Sequence, residues 1–252
     1  MIDTHCHLDA AEFDADRAAV HAQATAAGVR SIVVPAVSVD GFAKTRAVVA
    51  SHGGCVAAYG IHPMYVMQAG DEDLAILADW LAIERPVAVG EIGLDHYVAG
   101  LDPARQLVFY TGQLKLARQF DLPVLLHVRR AVDPVLRELR RLRVCGGIAH
   151  AFNGSRQQAD EFIKLGFKLG FGGAMTYAGS SRIRGLAADL PLSAIVLETD
   201  APDIPPAWLD RGRNTPGELP AIARCLAELR GLPVAEVIAA TSENARAVLP
   251  GM

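Results

Sequence analysis

Short apolar, β-branched runs alternate along the chain with stretches of helical periodicity, the pattern of repeated βα units around a parallel sheet. Eight runs read as strands: Ile2 to His7, Ser31 to Pro35, Cys55 to Gly60, Val87 to Glu91, Val124 to Val128, Gly147 to His150, Phe167 to Gly170 and Ala194 to Glu198. The helix between the fourth and fifth is well marked. Asp102 is a natural N-cap, Pro103 fits the first turn, and Leu107, Tyr110, Leu114 and Ala117 share one face ahead of the break at Leu122-Pro123. A first helix over about Asp14 to Ala27 stops at Gly28, and two last ones, near Pro216 to Arg230 and Val234 to Val248, are divided by Gly231-Leu232-Pro233. The Pro-rich stretch Asp200 to Asn214 is the longest irregular one and is expected to be a loop on the rim after the last strand. The predicted fold is a (β/α)8 TIM barrel, one α/β domain over residues 1 to 252.

Composition narrows this picture without changing it. A chain of 252 residues, 51% hydrophobic and 21% charged, buries roughly 70 to 75% of its extended surface and needs no covalent staples. The cysteines Cys6, Cys55, Cys145 and Cys225 show no Cys-x-x-Cys spacing, which argues against a zinc ribbon or a disulfide framework and for a reducing compartment. The opening Met1-Ile2-Asp3 has no basic, then apolar, leader, and no run of 18 apolar residues occurs, so the expected location is cytoplasmic, with no membrane and no obligate protein partner. A net charge of -4 argues against a broad basic face for long duplex DNA but not against a small anionic substrate.

The candidate chemistry sits at the strand ends. His5 and His7, two apart in an extended segment, would aim at one face, with Cys6 turned to the core. Glu91 closes Val87-Ala88-Val89-Gly90, His127 follows Val124-Leu125-Leu126, and His150 follows Gly147-Ile148-Ala149. One such histidine alone reads as a hydrogen-bonded core residue. Repeated endings of this type on one barrel rim read instead as a two-metal hydrolase site. Asp200, just past Ile195-Val196-Leu197-Glu198, is expected to be a ligand and the general base, its structural alternative being a helix cap before Pro202. Arg129, two residues past His127, is a candidate substrate contact if the strand reaches it. Arg137 to Arg143 read as the wet face of a helix, and Arg211, Arg213 and Asn214 as a solvated loop. With 6% aromatics the chain offers little for sequential base stacking.

The segments Asp3-Thr4-His5-Cys6-His7-Leu8-Asp9, Gly60-Ile61-His62-Pro63, Gly90-Glu91-Ile92-Gly93-Leu94-Asp95, His127-x-Arg129, His150-Ala151-Phe152-Asn153-Gly154-Ser155 and Glu198-Thr199-Asp200-Ala201-Pro202 resemble, from end to end, the TatD family of metal-dependent deoxyribonucleases within the amidohydrolase-like barrels. The resemblance implies an outer metal on His5, His7 and Asp200, an inner one on His127 and His150, Glu91 bridging them, and His62 as a substrate contact. It implies DNA ends or short single-stranded nucleic acid as substrate. Two departures, Val128-Arg129-Arg130-Ala131 after His127 and His96 after Asp95, bear on the substrate rather than the metals. Arg130 and the run from Glu198 to Pro205 are similar to the YjjV branch.

Histidine-rich sites favour zinc, manganese, nickel or iron over magnesium, and the carboxylates soften that preference. Such a site would attack a phosphodiester, or a carbonyl in an ester or amide, for example an aminoacyl ester of transfer RNA, by metal-activated water. A merely binding barrel has no use for Asp200 and Glu91 beside an open metal position.

Overall fold

The computed structural model describes residues 1–252. Eight parallel strands hydrogen-bond in chain order: β1 (Ile2–Asp3), β2 (Ser31–Pro35), β3 (Cys55–Tyr59), β4 (Ala88–Asp95), β5 (Val124–Arg129), β6 (Gly147–Ala149), β7 (Phe167–Phe171) and β8 (Ile195–Leu197). Around them run α1 (Arg17–Ala26), α2 (Phe42–Ser51), α3 (Asp73–Glu84), α4 (Pro103–Gln119), α5 (Val132–Leu142), α6 (Arg156–Lys164), α7 (Ser181–Asp189), α8 (Leu219–Arg230) and α9 (Val234–Val248). The seam between β8 and β1 is closed by main-chain bonds, from Thr4 N–H to the Leu197 carbonyl (3.1 Å), from Asp200 N–H to His5 (2.8 Å) and from His7 N–H to Ala201 (2.8 Å). The expected barrel is thus the observed one. No helix is long and apolar enough to cross a membrane.

Local chemistry accounts for the helix ends. The Asp102 carboxylate accepts the Ala104 N–H (2.8 Å) ahead of Pro103, and Ser155 and Gln158 form a reciprocal capping box at the start of α6. The first helix begins at Arg17, later than its pattern suggests, because the Arg17 side chain reaches back to the Leu8 carbonyl (2.8 Å) and residues 14–16 stay in a turn.

Strand alternation divides the core in two. Ile2, Val33, Ala58, Ala88, Leu125, Ile148 and Val196 fill the barrel interior and meet Ala245, Val248 and Leu249 from the C-terminal helix region. Their neighbours Ile32, Val34, Tyr59, Val89, Leu126, Ile195 and Leu197 face the helices. Each such buried aliphatic stabilises the fold by about 1.5–3 kcal/mol. Two residues beyond the inward positions Leu125, Ile148 and Val196 stand His127, His150 and Glu198, so the same alternation that packs the interior delivers these polar groups to the mouth.

Two strands depart from simple alternation. β1 ends at Asp3, not His7: the Asp3 carboxylate accepts the N–H groups of His5 (3.3 Å) and Thr199 (3.0 Å) and takes over where a ladder would continue. His5 and His7 are therefore aimed by a turn rather than by a pleat. In β4 the register shifts between Val89 and Ile92. Val89, Ile92 and Leu94 all face the helices, which leaves Gly90 and Glu91 as two residues where alternation has room for one; the irregularity turns Glu91 inward.

Candidate metal centre

Three overlapping triads stand at the mouth, His5 with His7 and Asp200, His5 with Glu91 and His150, and His62 with Glu91 and His127, each with its ligand-type atoms within 4.8 Å of one another. Glu91 is the hub: its Oε2 lies 3.1 Å from His5 Nε2 and 3.5 Å from His7 Nε2. Its Oε1 lies 2.9 Å from His150 Nε2, 3.1 Å from His127 Nδ1 and 3.4 Å from His62 Nε2. Asp200 Oδ1 faces His5 Nε2 at 3.6 Å and His7 Nε2 at 3.7 Å. Asp200 sits at φ 58°, in the left-handed region that stops β8 and turns the carboxylate back towards β1. It caps no helix. His127 and His150, expected to share a metal, fall in different triads that both include Glu91, with ring centroids 5.7 Å apart.

Hydrogen-bond partners fix which nitrogens offer lone pairs. His7 Nδ1 donates to the Pro35 carbonyl (3.2 Å), leaving the Nε2 lone pair for the mouth. His127 Nε2 donates to Asp95 Oδ2 (3.0 Å), leaving Nδ1 facing Glu91. His62 is the reverse case. Its Nδ1 accepts the Met64 N–H (3.2 Å), so its proton sits on Nε2 and points at Glu91. A donor in that position suits a substrate oxygen or the carboxylate, not a cation.

Charge balance tests whether a metal fits. Burial works against ionisation of Glu91, but His150, His62 and His5 hold it well below the ordinary glutamate range. Burial raises Asp200 to about 6 despite His150 and His7, and lowers His5 to about 3, which keeps that ring neutral. Burial also opposes charge on His7, yet Glu91 and Asp200 raise it to about 9. His127 and His150 rise likewise against their burial, the first beside Asp95 and Glu91, the second beside Glu91 and Asp200. The cluster therefore demands positive charge. The Nε2 atoms of His5 and His7 converge at 3.3 Å on two carboxylate oxygens, an acceptor-rich set that divalent cations satisfy by displacing protons. The buried His5 Nδ1, His150 Nδ1 and Glu198 Oε2 have no hydrogen-bond partner.

Three acids contribute that the sequence patterns did not single out. Asp95 orients His127; Glu198, beyond β8, accepts the Ala151 N–H (2.5 Å) and stands 3.7 Å from His150 Nδ1; Asp3 accepts the Thr199 hydroxyl (2.6 Å). A carboxylate closing an apolar run was the signal for Asp95 and Glu198, as it was for Glu91. Arg129 lies on β5 as expected, but its side chain is exposed and packs on the Tyr97 ring. Arg137, Arg140 and Arg141 pair with Glu138 and Glu161. In the rim loop Arg211 and Arg213 are exposed as expected, Arg213 pairing with Asp16, whereas Asn214 is buried and donates to the carbonyls of Thr199 and Asp203. Six of the eight exposed large apolar side chains, Met64, Tyr65, Met67, Tyr97, Tyr177 and Trp208, stand on loops after β3, β4, β7 and β8. The exposed aromatic side chains, Tyr65, Tyr97, Tyr177 and Trp208, thus all stand on these loops, while most of the other aromatics are buried in the core.

A family model described as TatD related DNase matches residues 2–250. The metal-dependent hydrolase YjjV of Escherichia coli is 41% identical over 250 residues, covering 97% of this chain and 95% of that protein. The 3'-5' ssDNA/RNA exonuclease TatD of Cronobacter sakazakii is 34% identical over 258 residues, covering 97% and 96%. The crystal structure of Escherichia coli YjjV, a TatD homolog, superposes with a TM-score of 0.93 at 39% identity, covering 99% of this chain and 97% of that one.

Proposed function

Because the chain belongs to the family of TatD-related DNases, we propose that it is a divalent-metal-dependent hydrolase that releases nucleotides from the ends of single-stranded DNA or RNA, in the 3'-to-5' sense carried by the name of its Cronobacter relative. The observation that carries this reading is the convergence of His5, His7, Glu91, His127, His150 and Asp200, from segments far apart in sequence, on one acceptor-rich pocket at the barrel mouth. When bound, divalent cations supply Lewis acidity towards a phosphoryl oxygen and lower the pKa of water.

The chain's own residues do the rest. His5, His7 and Asp200 form one ligand set, and Glu91 joins it to His150 and His127. The Asp200 carboxylate serves as the acceptor for the proton of attacking water. His62, with its proton on Nε2, donates to a non-bridging substrate oxygen. Exposed Tyr65, Tyr177 and Trp208 around the mouth give the bases of a single strand faces to rest on. All four cysteines are free, which suits the reducing cytoplasm.

The test incubates metal-reconstituted protein with 5'- and 3'-labelled single-stranded DNA and RNA beside a panel of carboxylate esters, with EDTA as control. Mononucleotide release that EDTA abolishes is the expected result, and Asp200→Asn should lose about 10²- to 10⁴-fold in kcat while keeping the melting temperature of the metal-free wild type. Cleavage of carbonyl esters alone would overturn the reading.

A further inference from the structure

Arg129 and Arg130, on the exit of β5, place their guanidinium carbons 3.8 and 4.6 Å from the centroid of one ring, that of Tyr97 on the exit of β4. Neighbouring residues of an extended chain point to opposite sides. Here Arg130 adopts φ 53°, and that turn brings both guanidinium groups to the same ring. Neither has a carboxylate within ion-pair reach, unlike Arg137, Arg140, Arg141 and Arg213 elsewhere. Asp95, the acid two residues before Tyr97, is already engaged, its Oδ2 by His127 and its Oδ1 by the N–H groups of Tyr97 (2.8 Å) and Val98 (3.0 Å).

Two cations that share one tyrosine ring without a counter-ion make a locally positive group that an anion stabilises. A guanidinium braced on a ring keeps N–H groups that bind phosphate bidentately. The ring also restrains two long side chains in advance, which lowers the entropy lost on binding. Tyr97 itself is 49% exposed. The group is tied to the metal centre by short links: Asp95 pairs in register with Arg129, the His96 N–H donates to the Arg129 carbonyl (2.9 Å), and Asp95 holds His127.

We propose that Arg129 and Arg130, braced on Tyr97, form a phosphate subsite that takes the phosphate next along the strand from the one being cut. The subsite rests on the nuclease reading for its role in turnover, although its affinity for phosphate does not. It makes the enzyme select substrates with at least two phosphates, which a simple carbonyl ester or a lone phosphodiester does not have.

The experiment compares kcat/KM of the metal-loaded protein for the dinucleotide TpT with that for pTpT and TpTp, and measures binding of thymidine 3'-monophosphate, thymidine 5'-monophosphate and thymidine 3',5'-bisphosphate by calorimetry. Wild type should prefer one of the two phosphorylated dinucleotides by roughly tenfold or more, through KM, and should bind the bisphosphate tighter than the better-bound monophosphate by a similar factor. In Arg130→Ala and in Tyr97→Leu both ratios should fall to within about twofold of unity. Their circular dichroism and melting temperature, at these exposed positions, report that folding is intact. Equal use of all three dinucleotides, or ratios that survive in Arg130→Ala, overturns the subsite. If no dinucleotide is cut, the nuclease reading fails by itself, and the calorimetric ratio in wild type and variants still decides whether the phosphate site exists.

Discussion

His127 can serve a cation only through Nδ1, because its other nitrogen donates to Asp95 at 3.0 Å. Partners of this kind set the tautomer and basicity of a ligating imidazole, and their loss costs about 10- to 100-fold in metal affinity. Asp95→Asn keeps the shape but removes the charge, so metal titration of the apo-protein should show a fall of that size; a change below about threefold would mean that Asp95 only braces the β4 exit. His62 makes the complementary point. It lies as near Glu91 as a ligand would, yet the Met64 N–H consumes the lone pair of its Nδ1 and puts the proton on the side facing the mouth.

Among the elements, β4 bears the most consequence for the centre. Gly93 pairs with His127 in register and has φ 145°, and a Cβ built on it would lie 1.9 Å from the His127 carbonyl oxygen. Both colliding groups belong to main chain at the barrel wall, so neither can swing away. Gly93→Ala should destabilise the fold by about 3 kcal/mol or more, read from the urea midpoint; a loss within about 1 kcal/mol contradicts the collision.

On α5, burial opposes ionisation of Glu138, but hydrogen bonds from Arg141 and Arg137 outweigh it and lower its pKa. Its contribution is then present above the ordinary carboxylate range and lost as pH falls through the lowered value. Both arginines are more than half exposed, so each pair is worth under about 1 kcal/mol. The stability gap between wild type and Glu138→Gln should therefore be small at pH 7 and shrink as pH falls below the ordinary carboxylate range; a gap that widens on acidification reverses the sign.

The same elements explain what was legible in the chain. His127 and His150 were readable because Leu125 and Ile148 fix the parity of their strands, and α4 was readable because Asp102 and Pro103 cap it locally. The inward turn of Glu91 depends on a register shift against β5, a long-range pairing with no local signal. The short β1 was hidden for a related reason: Asp3 is held by Thr199, at the other end of the chain.

On the scale of the whole molecule, the centre lies where the sheet closes. A cation shared by His5, His7 and Asp200 would bind the folded chain and not the unfolded one, adding about 2.7 kcal/mol at a hundredfold excess over its Kd. For a domain of this size that corresponds to roughly 5–10 °C. Adding EDTA should lower the melting temperature by that amount, and restoring the metal should recover it; an unchanged transition would mean that no cation sits across the seam.

The two sides of that seam also have different ages. During synthesis His5 and His7 leave the ribosome almost at once, whereas the carboxylate of Asp200, which completes their triad, follows only after all eight strands have been made. A nascent chain displays loose imidazoles but holds no finished outer set, so hydrolytic competence arrives late in translation.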